Sequence, residues 1–147
     1  MNEEIVAVTP EVEDDENEAI EVVTPATYYL KNGKHYIVYE EVVEGTSGVI
    51  KNRIKINGDE CVEIVKSGLS NSHMIFEKNK KNQTFYKTPY GQMLIGVNTR
   101  HLQVDFEEDK IAVQIDYELD VNHEPMADCK IRMNIVSKDS GKFSVLS

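Results

Sequence analysis

The chain has no tryptophan, and its 147 residues include only two cysteines, four prolines and eight glycines. Cys61 and Cys129 stand far apart and in no metal-ligand spacing, so the sequence holds neither a disulfide framework nor a cysteine-rich zinc site. The start, Met-Asn-Glu-Glu, has neither the basic region nor the apolar stretch of a secretory signal. With so few thiols, a reducing cytoplasm is the expected location, and both cysteines read as small core hydrophobes or free thiols. No apolar run reaches the roughly eighteen residues of a membrane-spanning helix, so no membrane insertion is expected.

A basic surplus is missing as well. The net charge is −10, and its location matters more than its size. Residues 1–30 carry nine acids and no lysine or arginine, while the remainder carries seventeen acids and sixteen bases. The acid belongs to one end, and the body is almost neutral. Nothing in this balance offers a cationic face to a phosphate backbone, which argues against nucleic acid as partner. Lys78, Lys80 and Lys81 read as a solvated turn.

What the sequence does have is alternation. From Ile111 to Val121 every odd position is apolar or aromatic, and every even one except Ala112 is polar. A period of two over that length fits a strand with one buried and one wet face. The pattern recurs at Ile5–Thr9, Ile20–Thr24, Tyr28–Leu30, His35–Val42, Val49–Ile56, Cys61–Lys66 and Ala127–Val136. Asn32-Gly33 and Asn57-Gly58 supply hairpin turns. Pro25 interrupts a ladder, Glu11–Glu18 reads as an exposed acidic connection, and Asn122–Pro125 as a turn. His73–Glu77 and Thr84–Lys87 read as a pair around the lysine-rich tip. Between Gln92 and Phe106 the apolar phase shifts from odd (Met93, Ile95, Val97) to even (Leu102, Val104, Phe106), which implies a bulge near Thr99–His101. The expected fold is all-β: residues 1–147 as one antiparallel up-and-down β-barrel of about eight to ten strands, with 137–147 as a frayed tail.

Four stretches also occur together in a recognisable order. They are Tyr28–Glu41, Lys66-Ser67-Gly68 leading to Ser72–Glu77, Tyr86–Gly91, and Ile115–Asp120. As a set they resemble the YwiB-like proteins, an uncharacterised bacterial family with a calycin-like β-barrel, and the likeness runs from Ile5 to Val136. It implies a barrel related in shape to lipocalins and fatty-acid-binding proteins, and no established activity. Two departures stand out. Lys66 occupies the place of an arginine in the family's pattern, so a bidentate guanidinium role does not carry over. Without tryptophan, the Gly-x-Trp signature of true lipocalins is missing, and their carrier role does not transfer by motif.

Chemistry-bearing residues form no set. His35, His73, His101 and His123 fall on separate segments, which argues for polar surface residues over metal ligands. Neither cysteine sits where a reactive thiolate is expected. Asp116, Glu118 and Asp120 share the polar face of one strand and read as solvated. No Gly-x-Ser-x-Gly elbow, phosphate loop or dinucleotide fingerprint occurs, so no catalytic residue, metal or cofactor is implied.

The inward aromatic and sulfur residues are the remaining candidates. Tyr39, Met74, Phe76, Tyr86, Tyr90, Met93, Tyr117 and Met133, with Ser67 at a rim, either fill a core or line a small lumen and its mouth. The expected function is a non-enzymatic barrel that binds a small, mostly apolar molecule. The alternative is an interaction module that uses the acidic N-terminal hairpin or a barrel edge, with an enzyme a distant third. A symmetric homodimer is the default expectation for assembly.

Overall fold

A computed structural model describes the backbone of residues 2–13, 18–19, 22–42, 45–69, 71–88, 90–108 and 110–137. Among these residues every regular element is a strand. They are β1 (Asn2–Glu13), β2 (Glu18–Ala19), β3 (Val22–Lys31), β4 (Lys34–Val42), β5 (Val49–Asn57), β6 (Cys61–Gly68), β7 (Ser72–Glu77), β8 (Lys81–Thr88), β9 (Gly91–Phe106), β10 (Lys110–Val121) and β11 (Glu124–Ser137). That is eleven, one of them only two residues long, against the eight to ten expected from sequence. All lie in one antiparallel sheet in the order β7-β6-β5-β4-β3-β1-β11-β10-β9-β8, with β2 beside β1. The N- and C-terminal strands β1 and β11 pair from Glu4↔Ser137 to Glu13↔Asp128. β1 therefore extends into the segment expected to be an acidic connection; residues 14–17 of that segment, and the tail from 138, lie outside the described residues.

The turns follow local chemistry. Asn32 and Gly33 both have positive φ (54° and 76°), as a two-residue hairpin with right-handed strand twist requires. Asn122 and His123 do the same (52° and 70°), so the expected four-residue turn is a two-residue one and Pro125 is already in β11. Asn122 stabilises it by exchange with β9: its backbone N–H donates to Leu94 O at 2.8 Å, and Leu94 N–H donates to its Oδ1 at 3.0 Å. The bulge lies where the phase shift implies it. Asp116 pairs with His101 and Tyr117 with Thr99, leaving Arg100 unmatched, so Thr99 and Leu102 face the same interior. Gly68 has φ 111°, and a Cβ there would lie 2.4 Å from Val49 O, so only glycine fits where β6 ends.

The sheet rolls so that one face encloses the core. Ile37, Ile54, Ile56, Val62, Phe76, Leu102, Val113, Ile115 and Met133 are at most 1% exposed and come from both halves of the roll. At one end the core is capped by aromatics. Tyr28 Oη and His35 Nδ1 are 2.6 Å apart, and the His35 ring lies 4.9 Å from that of Phe106 on the opposite wall. The ladder between β3 and β4 stops at Thr27↔Val38, two residues beyond Pro25. Proline has no N–H to offer there, and β4 continues beside β5 alone.

One expectation fails outright. β7 and β8 are consecutive, yet they do not form a hairpin; they are the two ends of the sheet. At their connection Lys80 N–H donates to Glu77 O, Lys78 N–H to Glu60 O, and Thr99 N–H to Lys80 O. The chain is thus held to β6 on one side and to β9 on the other. β7 follows β6 and β8 follows β9, and the wall parts between them.

Candidate functional site

The parting of β7 from β8 leaves a cleft that runs into the rolled interior. Its volume is about 830 Å³, and its lining comes from both edges and the strands behind them. Val65, Lys66, Ser67, Asn71, Ser72, His73 and Met74 supply one side, and Thr84, Phe85, Tyr86, Met93, Ile95, Tyr117 and Leu119 the other. Register explains the convergence. Ile64↔Met74 on one wall and Thr84↔Ile95 and Tyr86↔Met93 on the other are cross-strand pairs turned to the same space. Tyr117, which lines the cleft, meets the buried Phe76 ring edge to face, 4.8 Å between centroids.

The inner wall of β4–β7 changes character along its length. Nearest the capped end, His35, Ile56, Val62 and Phe76 lie in register; the next row is Ile37, Ile54, Ile64 and Met74. The row beyond is polar: Tyr39, Asn52, Lys66 and Ser72. Asn52 is 0% exposed, and its Nδ2 donates to Glu41 Oε1 at 2.6 Å. Lys66 Nζ reaches the same oxygen at 3.4 Å, longer than the roughly 2.7–2.9 Å of a close charge-assisted bond. Asn52 Oδ1 is buried and accepts no hydrogen bond from the described residues. Burial, and then the negative charge of Glu41, pushes the Tyr39 phenol up to about 12, so it stays a neutral hydroxyl. Burial also raises Tyr117, which contacts Cys129, and burial raises the Cys129 thiol. Neither group is set up as a nucleophile.

On the outer face, His73 Nε2 lies 2.8 Å from Glu63, whose carboxyl is held below its usual range chiefly by that hydrogen bond and also by the nearby Lys55 ammonium. Among the described residues no group of three histidine, cysteine or acidic side chains is arranged for a metal ion. No helix of the described residues is long and apolar enough to cross a membrane.

Five of the nine residues singled out from sequence line the cleft: Ser67, Met74, Tyr86, Met93 and Tyr117. The other four lie elsewhere. Phe76 and Met133, at 0% and 1% exposure, are packed core; Phe76 is on β7 with its ring covered by Tyr117, and Met133 is on β11, paired on both sides. Tyr39 faces a separate opening of about 480 Å³ at the β3–β4 split. Tyr90 is 99% exposed on the β8–β9 turn, pointing away from the interior. Sequence reasoning missed Ile95, Leu119 and the Asn52–Glu41–Lys66 cluster. Asn52 carried a signal: it falls in phase with Ile50, Ile54 and Ile56, a polar residue in an inward-facing apolar register.

A single antiparallel sheet rolled around an apolar interior places the chain in the class of barrel-like all-β proteins. Residues 5–133 match the family described as a domain of unknown function (DUF1934). The uncharacterized beta-barrel protein YwiB of Bacillus subtilis (strain 168) is 32% identical over 114 residues, which are 77% of this chain and 78% of that protein. The crystal structure of the ywiB protein from Bacillus subtilis superposes with a TM-score of 0.78 at 23% identity, covering 92% of each chain. The chain belongs to the DUF1934 family, of which the YwiB protein is a curated relative.

Proposed function

We propose that this chain is a calycin-like barrel with an incomplete wall, and that the gap between β7 and β8 admits a small, mostly apolar molecule to the interior. The observation that carries this reading is the cleft itself. About 830 Å³ is within the roughly 300–1,000 Å³ of small-molecule sites, and Tyr117 in its lining is backed by the buried Phe76 ring. Methionines at 74 and 93 give it deformable apolar walls, and Tyr86 and Ser72 place hydroxyl-bearing residues along it. A well-packed core beneath keeps the site rigid, since the residues under it have almost no exposure. The name of the Bacillus relative supports the barrel part of the reading.

The absence of tryptophan makes the test simple. A Met93→Trp variant carries one indole, in the cleft. Titration with fractions of a bacterial lipid extract is expected to shift its emission to the blue and to raise the melting temperature of the unsubstituted protein. Emission and melting unchanged across every fraction would contradict the proposal.

A further inference from the structure

The cleft lining is chemically lopsided, and the lopsidedness identifies a ligand class. In a chain with twenty-six acids and sixteen bases, none of the fourteen cleft-lining residues is an acid. One is a lysine, Lys66, and one a histidine, His73, whose ring is turned to Glu63 on the outer face. Lys66 is therefore the one permanent cation among the described lining residues. Its position is also specific. It sits in the polar row Tyr39–Asn52–Lys66–Ser72, directly beyond the apolar row that ends on Met74.

We infer that the cleft takes an anionic amphiphile: an apolar chain laid against Met74, Met93, Ile95 and Leu119, with a carboxylate or phosphate-ester head on Lys66. The inference deepens the apolar-ligand reading and rests on it. The charge arrangement favours an incoming anion. Glu41 is the carboxylate facing this lysine, and Asn52 already holds it at 2.6 Å while Lys66 stands off at 3.4 Å. Two of the three ammonium protons have no partner among the described residues, and the side chain, which lines the cleft, is 38% exposed. An anionic head at Lys66 gains an ion pair partly shielded from water on top of the hydrogen bond, whereas an uncharged head gains the ammonium hydrogen bond alone. An acidic head does not meet a second carboxylate on the lining, whereas a cationic head meets Lys66 itself. The buried Asn52 Oδ1 is an unfilled acceptor beside the same row, suited to a hydroxyl or to a water that the head group carries in.

The test compares four twelve-carbon probes below their micelle concentrations, by calorimetry on the intact chain: dodecanoate, dodecyl phosphate, dodecanol and dodecyltrimethylammonium. At least one anion is expected to bind about tenfold or more tighter than dodecanol, with the cation weakest. Which anion leads distinguishes a carboxylate head from a phosphate head. Lys66→Met is expected to bring anion and alcohol to equal affinity, Lys66→Arg to keep the anion preference, and Lys51→Met, on the outer face, to leave it unchanged. Equal binding of anion and alcohol by the unsubstituted chain overturns the head-group inference and leaves the apolar cleft standing. So does a preference that survives Lys66→Met. Failure of all four probes to bind overturns both.

Discussion

His35 shows how one residue ties the fold to solution conditions. It is the polar member of the cap formed with Tyr28 and Phe106, and burial holds its imidazole below the usual 6.5. The folded chain therefore prefers the neutral ring. With the folded value below the unfolded one, this contribution to stability is complete above about 6.5 and is lost as pH falls through the interval below it. Thermal melts between pH 7.5 and 5 are expected to show declining stability, and His35→Phe, which keeps a ring against Phe106, is expected to flatten that decline. An unchanged slope in the variant would remove His35 as its source. Asn52 is the complementary case. Its amide is buried in an apolar register at the cost of an unfilled acceptor, a cost of roughly 1–3 kcal/mol that structures commonly carry at sites of use.

At the level of elements, β9 joins two halves of the molecule with different apolar phase, and the unmatched Arg100 is what reconciles them. Arg100 and His101 both face outward, so removing Arg100 leaves Leu102 and Val104 turned inward and forfeits mainly the exposed ion pair with Glu118. Removing Gln103 has the opposite consequence, because it turns Val104 and Phe106 to solvent. The Arg100 deletion is expected to fold and to melt within a few degrees of the parent, as an exposed pair is worth about 0.2–1 kcal/mol. The Gln103 deletion is expected to lose cooperative melting by circular dichroism. The same contrast explains what could be read from residue order. The bulge, the Asn32-Gly33 hairpin and the long strand at 111–121 are written in spacing and turn chemistry within a few residues. The parting of β7 from β8 is not, because it is decided by backbone bonds from Lys78 to Glu60 and from Thr99 to Lys80, partners far along the chain. Four cleft residues were nonetheless legible as inward-facing tyrosine and methionine, and Ser67 as a rim position. The Tyr39–Asn52–Lys66–Ser72 row was not, since it exists only once four strands are in register.

For the whole molecule, the pairing of β1 with β11 joins the chain's two terminal strands, and the pairings continue without a break from β7 round to β8. Along that path the β3–β4 ladder parts beyond Thr27↔Val38, and β7 and β8 are edge strands that do not pair with each other. A sheet edge left open is ordinarily a hazard for association. Here the two edges face one another across an apolar cleft, and the splayed turn between them holds them at a fixed origin. The functional reading follows from that architecture: a rigid interior, capped at one end by Tyr28, His35 and Phe106, and reached from the side near the other.

Nuclear magnetic resonance of the ligand-free chain tests this directly. Cross-strand Hα–Hα contacts and slow amide exchange are expected along β4–β5, β5–β6, β9–β10 and β10–β11, with no such contacts between β7 and β8 and fast exchange at the amides on their facing edges. A regular series of contacts from β7 to β8, with protected amides on both, would mean a sealed wall and would contradict the account.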